Sequence, residues 1–239
     1  MPAPAVLSTL GRAALDLLFP PRCALCGRHG AALCHDCAGA LPHADPPRCP
    51  RCWSPQPAGW GCRRCDESAS GGLALEGLRS PYVFQEGARE LVHALKYSYH
   101  SALASPMGEL MARYLQGTPL PADMLVPVPL HSRRQRARGY NQSLLLAREV
   151  SQRLDLPLAA EALFRRRDTP PQARAMEADA RRRNVADAFD CRPGAVAGRR
   201  VLLVDDVTTT GATLDACARV LLAEGGASSV WALTFARED

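Results

Sequence analysis

Two adjacent carboxylates, Asp205 and Asp206, stand between an aliphatic run and a turn rich in hydroxyl residues and glycine. The four residues before them, 201–204, predict a buried parallel strand that ends at the acids. A helical pattern begins after Gly211, so loop amides and the positive end of a helix dipole converge on the turn. Such a turn favours the binding of a phosphate group.

The acids narrow the choice of phosphate compound. A carboxylate repels a bare phosphate, but it accepts hydrogen bonds from hydroxyls. A ribose 5-phosphate suits both parts of the motif, with Asp205 and Asp206 accepting from the 2- and 3-hydroxyls while the loop holds the phosphate. An ordinary turn whose aspartates cap the helix is the alternative, and the Gly-Lys-Ser/Thr ending of a Walker A loop is missing. The candidate loop residues are Thr208, Thr209, Thr210, Gly211 and Thr213.

Eight of the ten cysteines form four Cys-x-x-Cys pairs. Each pair can offer two thiolates to one tetrahedral ion, and two pairs complete a Cys₄ zinc site. We predict two structural zinc ions in sequential sites, and a cross-brace joining the first pair to the third stays open. A disulfide scaffold is disfavoured in a chain without a signal peptide, and four pairs are too many for one redox centre. The predicted ligands are Cys23, Cys26, Cys34 and Cys37 for one ion and Cys49, Cys52, Cys62 and Cys65 for the other.

Positive charge is concentrated between residues 131 and 185. This segment holds 13 arginines and 6 acids, so its net charge of +7 exceeds the +5 of the whole chain. A polyanionic ligand is implied, either pyrophosphate or nucleic acid. Four of the arginines fall within residues 133–138, before a glycine turn and a predicted helix, which suits a second anion site. A solvated basic loop is the alternative.

Lys96 is the only lysine in the sequence. It ends a helix predicted over residues 88–97, and it is therefore the sole ammonium that a side chain can offer to a pyrophosphate. A solvated charge at a helix end is the equally weighted alternative.

The remaining pattern indicates an α/β domain around these groups. Strands are predicted at residues 78–84, 124–129, 201–204 and 229–235, and helices at 88–97, 103–115, 143–154 and after Gly211. Residues 164–184 are arginine-rich and are typical of a lid, with a helix predicted over 175–183. A linker at 68–72 divides the chain into an N-terminal helix and ribbon module, 1–70, and the α/β domain, 73–239.

An apolar stretch at residues 13–19 is too short to span a bilayer, and it predicts a short docking helix. Because the sequence offers no longer apolar segment, we predict a cytoplasmic protein without a membrane span.

The chain resembles the ComF/GntX-type (ComFC-like) family of competence-associated, phosphoribosyltransferase-like proteins, and the resemblance covers nearly its whole length. Residues 201–213 match the 5-phosphoribosyl 1-pyrophosphate (PRPP) motif of the type I phosphoribosyltransferases. The cysteine pairs follow a Leu-Leu-Phe-Pro-Pro opening, as in the family. Further matching segments lie at residues 93–97, 126–130, 138–142, 169–172 and 183–189.

This resemblance implies a type I phosphoribosyltransferase-like parallel sheet flanked by helices, preceded by a small double zinc ribbon. Residues 129–140 fall where the pyrophosphate loop lies, and residues 165–184 where a flexible catalytic loop covers the substrate. The turn after Asp206 would take the 5-phosphate. Thr209 stands where several purine-salvage enzymes carry an aspartate that serves the base, so purine salvage is disfavoured.

Three functions fit these observations. The first is Mg²⁺-dependent transfer from PRPP to an unidentified acceptor, with Lys96, Arg136 and Arg138 as candidate catalytic residues that stabilise the leaving pyrophosphate. The second is a competence factor that binds single-stranded DNA and works with DNA-uptake or recombination proteins, although aromatic residues make up only 5% of the chain. The third is a regulator that senses PRPP without turnover. We expect a PRPP-binding protein that acts in DNA uptake and natural transformation.

Overall fold

A computed structural model describes residues 20–56, 62, 65, 72–97, 100–166 and 188–239. Its centre is a five-stranded, all-parallel sheet in the order β1–β7–β6–β3, with β2 also paired to β7. Two further strands, β4 and β5, form an antiparallel pair. The strands are β1 Gly77–Arg79, β2 Tyr82–Val83, β3 Met124–Pro127, β4 Leu163–Arg165, β5 Phe189–Cys191, β6 Arg200–Thr208 and β7 Ser229–Arg237.

Helices cover both faces of this sheet, as a parallel sheet requires. Among the described residues, no helix is long and apolar enough to span a membrane. A 3₁₀ turn at Ser101–Leu103 precedes α3. The helices are α1 His35–Gly39, α2 Glu86–Tyr97, α3 Ala104–Gly117, α4 Ser132–Arg138, α5 Gln142–Leu154 and α6 Ala212–Ala223.

The alternation of side chains along β6 fixes both halves of the core. Leu202 and Val204 pack into a cluster with residues of α2, α3 and α5. Val201 and Leu203 pack into a second cluster with residues of α6. A strand buried on both faces needs apolar residues at every position, which explains the uninterrupted aliphatic run before the acids.

Helices α3 and α5 approach each other closely at Gly108. A β-carbon added there would lie 2.3 Å from the Cβ atom of Glu149. A side chain larger than that of glycine does not fit at this crossing, and the crossing holds α5 against the sheet.

Most of the predicted elements are present, with three corrections. The motif strand does not end at Val204, because β7 continues to pair with it as far as Thr208 opposite Arg237. The strand predicted at 78–84 is split into β1 and β2. The basic segment contains the helix α4 where a loop was expected. The docking helix at 13–19, the linker residues 68–71 and the helix at 175–183 lie outside the described residues.

The second cysteine cluster is attached to the end of the sheet. Arg237, 1% exposed at the end of β7, donates from Nη1 to the backbone oxygen of Cys52 at 2.8 Å. The indole of Trp53 donates to the backbone oxygen of Ser80 at 2.8 Å. These contacts join the ribbon to the end of β7 and to the connection between β1 and β2.

Candidate phosphoribosyl site

The acid pair lies at the carboxyl end of β6, where ligands of open parallel sheets commonly bind. Asp205 Oδ1 accepts hydrogen bonds from the Ser143 hydroxyl at 2.6 Å and from the backbone amide of Asp206 at 2.9 Å. Asp206 Oδ1 accepts from the amide of Val207 at 2.9 Å. Burial, followed by the adjacent charge of Asp206, raises the pKa of Asp205 to about 7. The charged form of Asp205 is therefore disfavoured in the free site, and a cation or hydroxyl donors beside the pair would stabilise it.

Lys96 supplies a cation to this pair. Its Nζ lies 2.7 Å from Asp206 Oδ2, and the Asp206 side chain is only 4% exposed. Within the described part of the chain, Oδ2 accepts no hydrogen bond beyond this ion pair. Burial lowers the pKa of Lys96, but the charges of Asp206 and Asp205 and the hydrogen bond to Asp206 outweigh it and raise that pKa. The lysine is therefore a partner of the acids rather than a solvated helix-end charge.

A cavity of about 620 Å³ opens in front of the acid pair. Both acids, Ser143 and the end of the α2 helix contribute to its wall, and four basic side chains face it. This volume is in the range of small-molecule binding sites. The basic lining residues are Lys96, Arg134, Arg138 and Arg165.

The arginines of α4 point in two directions. Arg134 and Arg138, four residues apart, both line the cavity, whereas Arg136 is exposed and does not contribute to its wall. His131 caps the helix through its Nδ1, which accepts from the amide of Arg133, and Gly139 ends it in the left-handed conformation. Short caps at both ends explain why a segment without apolar periodicity is helical.

The turn after the acids begins with a buried residue and ends at a helix. Thr208 is the last residue of β6 and is buried, while Thr209 is exposed. Gly211, with φ of 82°, occupies the N-cap position of α6, and the Thr210 hydroxyl accepts from the amide of Ala212 at 3.3 Å. Of the five predicted loop residues, Thr213 lines the cavity. The turn thus presents a helix N-terminus beside the carboxylates, as the motif predicts.

Aromatic rings form a row beside the cavity. Phe84 stacks on His93 with centroids 6.2 Å apart, and His93 lies 5.8 Å from the ring of Tyr97. The Arg138 guanidinium lies 5.3 Å from the Tyr97 ring centre, and Tyr97 is 67% exposed. Although aromatics are few, these three adjoin one another, and Tyr97 lines the cavity.

The cysteine pairs form two separate clusters in sequential order, which confirms the predicted pairing and not the cross-brace. In each cluster the sulfur atoms all lie within 4.8 Å of one another. One sulfur pair of the first cluster and two of the second are 3.6–3.7 Å apart. Zinc–sulfur bonds of about 2.3 Å in a tetrahedron require sulfur–sulfur distances of about 3.8 Å. Four thiolates at this spacing fit one zinc ion, so each cluster is a Cys₄ zinc-binding site.

One polar lining residue, Ser143, was missing from the sequence prediction. It lies two residues after Asn141, whose side chain caps α5 by accepting from the Ser143 amide. Arg134 was predicted as part of the basic segment, but the helix face that it shares with Arg138 appears only once α4 is known to be helical. Arg165 stands at the end of β4, at the start of the predicted lid.

Comparison with known proteins agrees with this arrangement. Residues 14–66 match the double zinc ribbon domain family, and residues 141–238 match the phosphoribosyl transferase domain family. The DNA utilization protein YhgH of Escherichia coli K12 is 35% identical over 231 residues, which cover 91% of this chain and 98% of that protein. The chain belongs to the ComF/GntX family.

Other relatives carry competence names. The competence protein ComFC of Bacillus subtilis is 28% identical over 86% of this chain and 84% of its own length. Among solved structures, the glutamine PRPP amidotransferase of B. subtilis is 20% identical over 59% of this chain and 30% of its own, with a TM-score of 0.41. That structural similarity is too low to add to the argument. The type I phosphoribosyltransferase-like fold rests on the matched domain families and on the parallel sheet.

The resemblance to phosphoribosyltransferases implies a Mg²⁺ ion at this site. The buried pair Asp205 and Asp206 fits a divalent cation chemically, because hard oxygen ligands with excess negative charge face the cavity. These two side chains would hold the ion near the ligand.

Proposed function

We propose that this protein binds PRPP in the cavity in front of β6 and acts in DNA uptake or DNA utilisation in the cytoplasm. The observation that carries the proposal is the buried pair Asp205 and Asp206 facing a cavity whose other charged lining residues, among those that the structure describes, are basic. A ligand for this cavity needs hydroxyls for the acids and phosphates for the cations. PRPP offers both in one molecule. The names of the relatives supply the DNA context.

Each part of the ligand has a proposed partner in the cavity or in the turn beside it. Asp205 and Asp206 accept hydrogen bonds from the ribose hydroxyls, and the turn at Thr208, Thr209, Thr210, Gly211 and Thr213 takes the 5-phosphate at the start of α6. Arg138, together with Arg134 on the same helix face, meets the pyrophosphate. Bound Mg²⁺ supplies charge neutralisation for the pyrophosphate.

The reaction that this arrangement supports is phosphoribosyl transfer. The bond between ribose C1 and pyrophosphate oxygen breaks, the acceptor's nucleophile forms a new bond to C1, and the acceptor loses a proton. Positive side chains placed around the leaving group lower the barrier, because charge grows on the pyrophosphate as the bond breaks. Lys96 and Arg138 are the proposed catalytic residues at the cavity wall, and Arg136 lies outside it.

Titration calorimetry with PRPP and Mg²⁺, combined with a pyrophosphate-release assay, tests this proposal. We expect PRPP to bind the wild-type protein and Asp206→Asn to bind about ten- to a hundred-fold more weakly, because a charge-assisted hydrogen bond contributes about 1.5–3 kcal/mol. Binding without pyrophosphate release would favour a sensor of PRPP over an enzyme. Undetectable binding, or wild-type affinity in the variant, would contradict the proposed site.

The aromatic row favours a second candidate function, the binding of single-stranded DNA. Tyr97 is exposed beside the Arg138 guanidinium, and Phe84 and His93 continue the row of rings. Unpaired bases stack on aromatic surfaces with about 1–3 kcal/mol per base. Tyr97→Ala should weaken binding of a labelled single-stranded oligonucleotide in an anisotropy titration. Phe164→Ala is the control, because Phe164 is also exposed but lies outside the row. Equal losses in both variants would contradict a stacking role for the row.

A further inference from the structure

The ion pair between Lys96 and Asp206 occupies the atoms that the proposed ligand needs. Asp206 Oδ1 is bound by the amide of Val207, and Oδ2 is bound by Lys96 at 2.7 Å. Ribose hydroxyls that approach this carboxylate must therefore compete with an ammonium in a largely buried environment. A neutral hydroxyl is a weaker partner for a carboxylate than an ammonium at this distance.

The same ammonium is the group that a pyrophosphate would attract. Lys96 lines the cavity together with Arg138, at the last turn of α2. Tyr140, which follows α4, donates its hydroxyl proton to the backbone oxygen of Leu95 at 2.6 Å. This bond fixes the end of α2 beside α4, so the lysine side chain can exchange partners while its backbone stays in place.

We propose that Lys96 is a specificity residue that selects ribose phosphates bearing a pyrophosphate, because only such a ligand gives its ammonium a new partner when Asp206 is released. The inference rests on the proposed function, since it assigns the pyrophosphate and the ribose hydroxyls to one cavity. Ribose 5-phosphate must break the ion pair between Lys96 and Asp206 without giving the ammonium a new partner. PRPP binds the acids through its hydroxyls and at the same time offers its pyrophosphate to the ammonium.

The lysine also balances the charge of the acids in the free protein. Without its ammonium, Asp205 and Asp206 would form a buried pair of like charges with no cation among the described residues within ion-pair distance of either carboxylate. Such a pair binds a divalent cation more tightly than a pair already neutralised by lysine. Lys96 therefore delays metal binding until the ligand arrives.

The decisive comparison uses Lys96→Met, which removes the ammonium, and Lys96→Arg, which keeps the charge. Calorimetry with PRPP, with ribose 5-phosphate and with Mn²⁺ alone gives three affinities for each protein. For Lys96→Met we expect PRPP to bind at least about tenfold more weakly, ribose 5-phosphate at least about threefold more tightly, and Mn²⁺ at least about tenfold more tightly than for the wild-type protein. Lys96→Arg should keep all three affinities near the wild-type values.

Opposite changes for the two sugars distinguish the proposal from simpler roles. If Lys96 only contacts the pyrophosphate, Lys96→Met should bind ribose 5-phosphate and Mn²⁺ with wild-type affinity. That result would overturn the inference. If Lys96 has a purely structural role, Lys96→Met should bind both sugar phosphates more weakly. That result would also overturn the inference. If PRPP fails to bind the wild-type protein, the proposed function fails, while the Mn²⁺ titration still decides the role of the ion pair.

The sequence offers a measurement that needs no variant, because Lys96 is its only lysine. Protein grown with ¹⁵N-labelled lysine gives one ammonium signal in a nuclear magnetic resonance spectrum. We expect this signal to be visible in the free protein, since the paired ammonium exchanges slowly with water, and to shift when PRPP is added. An ammonium signal lost to solvent exchange in the free protein would overturn the proposal even if Lys96→Met did not fold.

Discussion

The two faces of α4 allow a matched test of the pyrophosphate assignment. In one variant, Arg134 and Arg138 are both changed to Gln, which removes the two arginines of the helix that line the cavity. In the control, Arg133 and Arg136 are both changed to Gln. Both variants lose two positive charges from the same seven-residue helix, and Gln has nearly the helix propensity of Arg. Any difference between them therefore reports side-chain position rather than net charge.

The expected loss follows from the bonds that each arginine would make. Two charge-assisted hydrogen bonds at about 1.5–3 kcal/mol each amount to about 3–6 kcal/mol, or about 10²- to 10⁴-fold in the dissociation constant. Arg134 and Arg138 are partly exposed, so solvent screening favours the lower end, about 100-fold. The loss for ribose 5-phosphate should be much smaller, because it lacks the pyrophosphate. The control should stay within about threefold of the wild-type affinity for PRPP.

Isothermal titration calorimetry with both sugars measures these values, and circular dichroism confirms that both variants are folded. The same proteins can be titrated with single-stranded DNA at several salt concentrations, where each lost phosphate contact reduces the slope by about 0.7. If the control loses as much PRPP affinity as the variant that lacks Arg134 and Arg138, the loss of affinity comes from the overall positive field. The assignment of the pyrophosphate to α4 would then be wrong.

Three further predictions concern the zinc sites, the acids and the helix crossing. Cys62→Ser should reduce zinc from about two ions per chain to about one by elemental analysis. It should also lower the melting temperature of the whole protein, because Arg237 is bound to the same ribbon; unchanged zinc content would disprove the site. Because burial raises the pKa of Asp205 from 3.8 to about 7, stability should fall as pH rises from about 4 to about 7. Asp205→Asn should therefore exceed the wild-type unfolding free energy at pH 8 by on the order of a few kcal/mol, with little gain at pH 4, in urea titrations. Gly108→Ala should destabilise by about 1–3 kcal/mol in the same assay, because its methyl group would collide with Glu149, whereas Gly117→Ala, with open space around it, should cost far less.

The parts of the structure that were predicted from sequence are those whose chemistry is local. Four cysteine pairs define two zinc sites because both the ligands and their spacing lie within short segments. The aliphatic run before Asp205 predicts a parallel strand because only such strands are apolar on both faces.

Long-range pairing and side-chain packing could not be read in the same way. The extension of β6 through Val207 and Thr208 depends on pairing with β7, whose residues show no such signal by themselves. The ion pair between Lys96 and Asp206 joins residues that are far apart in the sequence. The helix α4 has polar caps but no apolar periodicity. The sequence therefore could not show that Arg134 lies on the face toward the cavity and Arg136 on the other face.

In the sheet, β7 lies between β1 and β6, yet it is the last strand of the chain. Among the strands of the described residues, β1 and β2 pair with no strand other than β7. Gly77 therefore cannot pair until Trp231 has been synthesised. Until then, one edge of β6 remains open, and exposed strand edges promote aggregation. The zinc sites close over short segments and can form much earlier. During synthesis, the N-terminal zinc module can therefore form while the sheet still lacks β7.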